Sequence, residues 1–407
     1  MAGLYIHIPF CASRCIYCGF YSTTCLDMRQ QYVDAVCREM EMRTVLGDII
    51  AEPVAAGATV PAGFPAGIST IYLGGGTPSQ LTIPQLRQLF IYINKVYPSP
   101  LYFSHLKEGV WHAMEGNGGR LEVTIEVNPD DVTPEFATSL MQLGINRVSM
   151  GAQTFNDTRL QFLRRRHTAI QVREAVAILR DAGIHNISID LMYGFPNETL
   201  DDWQRDIDAA LALDVEHISA YCLMIEEGTV LYERLKMKDE RLKMLDEETE
   251  RAMYELLIDK LTAAGYEHYE ISNFARPGYR SRHNSSYWQD IPYIGLGAAA
   301  HSYDGHCRSW NISDIRQYIN AINEGHIPCE CEILDDDTHY NDRIATALRT
   351  SDGLDLTTLS DRHRNYCMQE ARCFLDDGFL ILNDNRLRLT NQGLFVSDMV
   401  MSALMMV

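Results

Sequence analysis

Short apolar runs recur through the first half of the chain, at residues 4–8, 70–73, 122–127, 147–151, 186–191 and 217–223, each bounded by Gly, Pro or polar residues. Runs of this length, apolar at consecutive positions, predict strands buried on both faces, the habit of a parallel sheet. The stretches between them predict helices; residues 27–46 form one, with Gly47 as its cap. One phrase repeats. Gln142-Leu143-Gly144-Ile145, Asp181-Ala182-Gly183-Ile184 and Ala263-Ala264-Gly265-Tyr266 each close a helix with a glycine suited to a left-handed cap and open a strand, the third at 267–271. Alternating helix and strand implies parallel pairing with right-handed crossovers. The fold class is α/β, six strand–helix units are expected, and ligands belong at the strands' C-terminal ends.

Residues 51–69 and 98–120 lack periodicity and are expected as irregular connections, and either Ser79 or Thr82 is expected to begin the helix after the second strand. From about residue 334 the alternation stops. A helix at 337–349, one or two at 356–376 and a hairpin at 379–389, turning at Asn383-Asp384-Asn385, predict a small winged-helix-like α+β domain. The Met-rich end, 394–407, is expected to pack as a terminal helix. Three units follow: 1–235 with the parallel strands, 236–335 as its extension, and 336–407.

Composition narrows the class of function. The chain has 407 residues, 46% hydrophobic and 22% charged, as in ordinary globular proteins. Its formal net charge of -20 opposes nucleic-acid binding, which needs clustered Lys and Arg. No signal-peptide pattern and no membrane-length apolar run are seen. With eleven cysteines and no export signal, a cytoplasmic location with free or metal-bound thiols is expected.

The chemistry concentrates early. Cys11, Cys15 and Cys18 stand in a C-x3-C-x2-C spacing after the first strand. Tight cysteine spacing on a turn suits an iron–sulfur cluster, and no fourth Cys or His follows closely enough for tetrahedral zinc. Three protein ligands to a four-iron cluster leave one iron open. Gly74-Gly75-Gly76-Thr77-Pro78 follows the second strand and offers backbone without Cβ atoms to a ligand. Glu126, Gln153, Asp190 and Met224 lie at or just past strand ends, and Arg164, Arg165 and Arg166 are expected on a short helix beyond Gln153. A guanidinium can grip a carboxylate bidentately, and Asp or Gln can accept from ribose hydroxyls. Cys307, Cys329, Cys331, Cys367 and Cys373 have no cluster spacing and read as structural thiols; His7 reads as structural too.

The cysteine spacing and the triple glycine resemble the radical S-adenosylmethionine (SAM) superfamily. Tyr-Ile-His-Ile-Pro-Phe-Cys, Gly-Gly-Gly-Thr-Pro, Gly-Ala-Gln-Thr-Phe-Asn and Asp-Leu-Met-Tyr-Gly-Phe-Pro narrow the resemblance to its HemN-like group over nearly the full length. The resemblance implies a partial (β/α)6 barrel, a [4Fe-4S] cluster on Cys11, Cys15 and Cys18, and SAM chelated by the open iron. It places Tyr5, Tyr17, Gly75, Gly76, Thr77, Glu126, Gln153, Arg165 and Asp190 around SAM, with Met224 beside them. In the superfamily an electron from the cluster cleaves SAM to a 5′-deoxyadenosyl radical.

The group contains oxygen-independent coproporphyrinogen III oxidases and heme chaperones. The oxidases have a fourth cysteine two residues after the third, where this chain has Phe20, and a segment ahead of the cysteine loop, where this chain has ten residues. His283-Asn284-Ser285-Ser286-Tyr287-Trp288 matches the H-N-x-x-Y-W motif of the chaperones. There His283 is expected to ligate heme iron, with Tyr287 and Trp288 packed on the porphyrin; His301 is the weaker ligand expectation. The implied function is a heme chaperone passing heme to an acceptor protein, membrane-associated or soluble. The alternatives are oxidative decarboxylation of coproporphyrinogen III and another radical reaction such as methyl transfer.

Overall fold

A computed structural model describes residues 2–49, 67–97, 121–237 and 242–406. The loops expected over 51–69 and 98–120 lie outside them, except for 67–69. β1 (Ala2–Ile8) is buried almost throughout, as its unbroken apolar run requires. α1 (Arg29–Ile49) follows a single 3-10 turn and runs through Gly47, the residue expected to cap it. One glycine inside a helix costs only about 1 kcal/mol. β2 (Ile68–Gly75) is longer than expected: Gly74 and Gly75 pair with His7 and Ile8 and belong to the strand, not to the turn after it.

α2 (Ile83–Val96) starts at Thr82, whose capping box with Gln85 settles the choice between Ser79 and Thr82. Then come β3 (Glu122–Val127), α3 (Pro134–Gln142), β4 (Arg147–Gln153), α4 (Asp157–Phe162), α5 (Ala169–Asp181), β5 (Asn186–Tyr193), α6 (Leu200–Leu211), β6 (His217–Cys222), α7 (Val230–Lys236) and α8 (Glu247–Ala263). β1 to β6 pair in chain order, all parallel. Gly144 and Gly183 take positive φ, 78° and 92°, as helix caps.

The third repeat departs from the pattern. β7 (Glu267–Glu270) pairs antiparallel with β8 (Asn273–Ala275), which lies antiparallel on β6. Too few residues separate β7 from β8 for a crossover, so the pair closes as a hairpin. After α9 (Arg282–Trp288) the chain returns to the opposite edge. β9 (Tyr293–Leu296) pairs parallel with β1 on the side away from β2. β10 (His301–Tyr303), β11 (Cys307–Asn311) and, after α10 (Ile315–Asn323), β12 (Cys329–Ile333) extend that edge antiparallel to a twelve-stranded sheet. One continuous apolar core runs from Ala2 to Ile322, so the described residues from Met253 to Ile322 share the core of the parallel strands.

The C-terminal domain has a second core: α11 (Asp336–Ala347), β13 (Leu354–Asp355), α12 (Asp361–Asp376), β14 (Leu380–Asn383), β15 (Arg386–Leu389), α13 (Asn391–Leu394) and α14 (Ser397–Leu404). Its hairpin turns on Asp384-Asn385 alone, both at positive φ, a two-residue loop that matches strand twist. Val400, Met401 and Leu404 are buried in this core. The two cores meet along a largely polar seam, to which Leu394 and Phe395 add an apolar contact on the first core. Arg349 pairs with the buried Glu270 at 2.9 Å, and the Ser351 N–H donates to the Tyr269 carbonyl. No helix among the described residues is long and apolar enough to cross a membrane.

Candidate functional site: one cavity from the cysteine loop to the C-terminal domain

The C-terminal ends of β1 to β6 open into a cavity of about 1120 Å³. The cysteine loop forms one wall and is anchored twice. At its base the Cys11 N–H donates to Thr23 and the Thr23 N–H to Pro9, at 2.9 and 2.7 Å. At its tip Ile16 is buried with Leu163, Phe195 and Leu231, and its N–H and carbonyl bond Leu163 and Leu231. Cys15 and Cys18 flank that anchored residue. All three thiols are free and line the cavity. Burial pushes the Cys11 and Cys18 thiols up, and the neighbouring Cys15 adds to both. Arg165 Nη1 lies 3.7 Å from Cys15 Sγ, and Thr77 Oγ1 lies 3.5 Å from Cys11 Sγ. Among the described residues no three His, Cys, Asp or Glu side chains converge to hold a single metal ion. Three cysteines spread around a cavity suit a body larger than an ion, and the donor set fits a cluster.

Gly75, Gly76 and Thr77 line the cavity, but the space a Cβ would need is filled by protein. At Gly75 (φ +116°) a Cβ would meet the His7 ring at 2.6 Å; at Gly76 it would meet the Pro9 carbonyl at 2.8 Å. The glycines are therefore required first for packing β2 against β1.

Glu126 accepts from the Tyr72 hydroxyl at 2.8 Å and from the Gly75 N–H at 3.1 Å. Burial pushes its carboxyl up to about 7, with Asp190 adding to the shift. Asp190 accepts from the Ser149 hydroxyl at 3.3 Å, and burial pushes it up to about 6. Neither has an ion-pair partner among the described residues, an arrangement that suits a cationic ligand group.

The three arginines part company. Arg164 has φ +60° and turns the chain out of α4, so the expected short helix is a turn here. Arg165 points into the cavity and donates to the Asn128 carboxamide oxygen and the Gly151 carbonyl, at 2.5 and 2.7 Å. Arg166, also on the cavity wall, pairs with Asp130 and Asp131. Tyr5, Tyr17, Gln153 and Met224 also line the cavity, Met224 at 72% exposure. His7 is held by the Tyr5 hydroxyl and the Tyr21 carbonyl, both at 3.1 Å, consistent with a structural role.

The H-N-x-x-Y-W residues divide. Tyr287 and Trp288 line the far end of the cavity, whereas His283 is fully buried behind it, on α9 against β2. Its Nδ1 bonds Thr70 Oγ1 and its Nε2 the Tyr287 hydroxyl, both at 2.8 Å, and its ring stacks on Tyr72 at 5.0 Å. With both nitrogens engaged, the His283 ring holds Tyr287 in place in this arrangement and stands behind the cavity wall. That end also receives Tyr293, Tyr303 and Arg308 from the far edge of the sheet, and Asp342, Arg343 and Thr346 from α11. None of these six was expected. Asn128 was also missed, although its place directly after the third strand was a signal.

The radical SAM superfamily pattern matches residues 5–210, and that of the HemN C-terminal domain matches 334–396. The chain is 32% identical to the heme chaperone HemW of Bacillus subtilis (strain 168), over 99% of both chains. It is 31% identical to the heme chaperone HemW of Mycobacterium tuberculosis (strain ATCC 25618 / H37Rv), over 99% of this chain and 94% of the relative. Among solved structures, coproporphyrinogen III oxidase (HemN) from Escherichia coli superposes with a TM-score of 0.78 at 20% identity, over 99% of this chain and 89% of that one. That likeness concerns the fold.

Proposed function

This chain belongs to the radical SAM superfamily and, within its HemN-like group, to the HemW family, and from that premise we propose that it binds heme and hands it to an acceptor protein. The observation that carries the reading is the extent of the cavity. At about 1120 Å³ it joins the cysteine loop to an aromatic wall of Tyr287, Trp288 and Tyr293, leaving room for SAM at one end and a planar macrocycle at the other. Cys11, Cys15 and Cys18 would hold a [4Fe-4S] cluster, whose chemistry when bound is one-electron reduction of SAM. Glu126 suits the amino group of SAM, and Arg165 its carboxylate. Asp190 and Gln153 suit the ribose hydroxyls, while Tyr5, Tyr17, Gly75, Gly76, Thr77 and Met224 complete that wall. His283 acts from behind by fixing the Tyr287 hydroxyl.

The test uses anaerobically reconstituted protein titrated with heme and followed by absorbance, with one heme per chain expected. The same preparation, given coproporphyrinogen III, SAM and a reductant, should yield no protoporphyrinogen. Turnover of the porphyrinogen without heme binding would establish the oxidase instead.

A further inference from the structure

We infer that His301 is the residue that ligates heme iron in this cavity, a conclusion that rests on the heme-binding reading above. Two other histidines of the site are spoken for: His7 and His283 each have both ring nitrogens hydrogen-bonded within the protein. His301 differs. It opens β10, is exposed, lines the cavity, and has no hydrogen-bond partner on either ring nitrogen among the described residues. Three other donors that reach the cavity are poorer. Burial pushes the Cys222 thiol up to about 12, and the Tyr5 and Tyr287 phenols well above their ordinary value, so each holds its proton.

The backbone that carries His301 is rigidly placed. The Gly297 N–H donates to Glu39 at 2.8 Å, the Ala298 N–H to the Tyr32 hydroxyl at 3.0 Å, and the Ala299 N–H to Ile312 at 3.0 Å. Glu39 is itself buried and held by Arg43, Asn311 and Tyr318. Ala299 keeps φ +61° within this frame. The His301 ring leans on its cross-strand partner Trp310, with centroids 6.1 Å apart. Two residues on, Tyr303 shares its face of β10 and continues an aromatic strip through Tyr293, at 6.3 Å, to Tyr287, at 4.6 Å. An imidazole on a fixed strand beside a strip of rings is preorganised for a flat, iron-centred ligand. Burial and the Arg308 guanidinium favour the neutral ring, so the lone pair is available and no proton need leave on ligation.

The experiment titrates the full chain with ferric heme and records absorbance and electron paramagnetic resonance for wild type, His301→Gly, His301→Gly with free imidazole, and His326→Ala as an exposed control. Wild type and the control should show an imidazole-ligated iron. His301→Gly should lose that signature and bind at least tenfold more weakly, and added imidazole should restore the spectrum. A wild-type spectrum from His301→Gly, or failure of imidazole to restore it in a variant that melts like wild type, overturns the assignment. Heme bound by wild type without an imidazole signature overturns it as well. A wild-type chain that binds no heme refutes the heme reading itself, a distinct result.

Discussion

Glu126 and Asp190 hold their protons more tightly in the folded chain than a free carboxyl would, and burial is the first cause for both. The folded state therefore binds more protons than the unfolded one between the ordinary carboxyl value and about 7 for Glu126. Stability should fall as pH rises through that window and level off above it. Glu126→Gln should flatten the fall and stabilise the apoprotein by about 1–2 kcal/mol at pH 8, a figure discounted for the water that reaches the cavity. Denaturant melts at pH 5 and pH 8 check this; an unchanged difference between the two pH values would exonerate Glu126. His283→Ala should destabilise by about 3 kcal/mol, since it opens a void and strands the Thr70 and Tyr287 hydroxyls; a loss under 1 kcal/mol would contradict its placement. Sequence reading located the cysteines and the strand-end acids because their chemistry is carried by residue type and local spacing. It had no means to separate Arg164, Arg165 and Arg166, all of which reach the cavity, because the partners that hold Arg165 and Arg166 come from residues distant in sequence. Nor was the engagement of His283 readable, because one of its partners, Thr70, comes from β2.

The cysteine loop and the glycine turn behave as one element, since β1 and β2 lie side by side and the glycines exist to let them. Gly76→Ala places a methyl against the Pro9 carbonyl, a backbone neighbour that cannot rotate aside. We expect reconstituted iron per chain to fall at least twofold, and stability by about 2 kcal/mol; full iron loading would show that the turn can shift without disturbing Cys11. The six parallel strands were legible because burial on both faces leaves an unbroken apolar record. β9 was not, because four residues are too few for such a record and its partner, β1, lies 290 residues earlier, Gly3 against Tyr293. α11 was foreseen as a helix but not as a cavity wall, because Asp342, Arg343 and Thr346 read as an ordinary polar face.

At the scale of the molecule there are two apolar cores and one cavity that touches both, lined from the first by strand ends and from the second by α11. The seam between them is largely polar, with Leu394 and Phe395 as its apolar contact: besides Arg349 and Glu270 it holds His339, which meets Asp290 at 2.8 Å and Tyr303 at 3.0 Å, and Arg280, which meets Asp352 at 3.3 Å. A polar seam couples two cores weakly, so the ligand-free chain should melt in two calorimetric steps. A ligand spanning the cavity at a hundred times its Kd adds about 2.7 kcal/mol to whatever state holds both walls together. Heme should then merge the two steps into one, whereas SAM, confined to the barrel's end, should raise only the barrel's; a single step without any ligand would contradict the weak coupling. The same seam has a consequence for timing. Were the smaller domain to swing aside, it would carry α11 off the cavity and leave the strand ends and the cysteine loop as they stand, so on the function proposed above a bound macrocycle could leave without disturbing that loop.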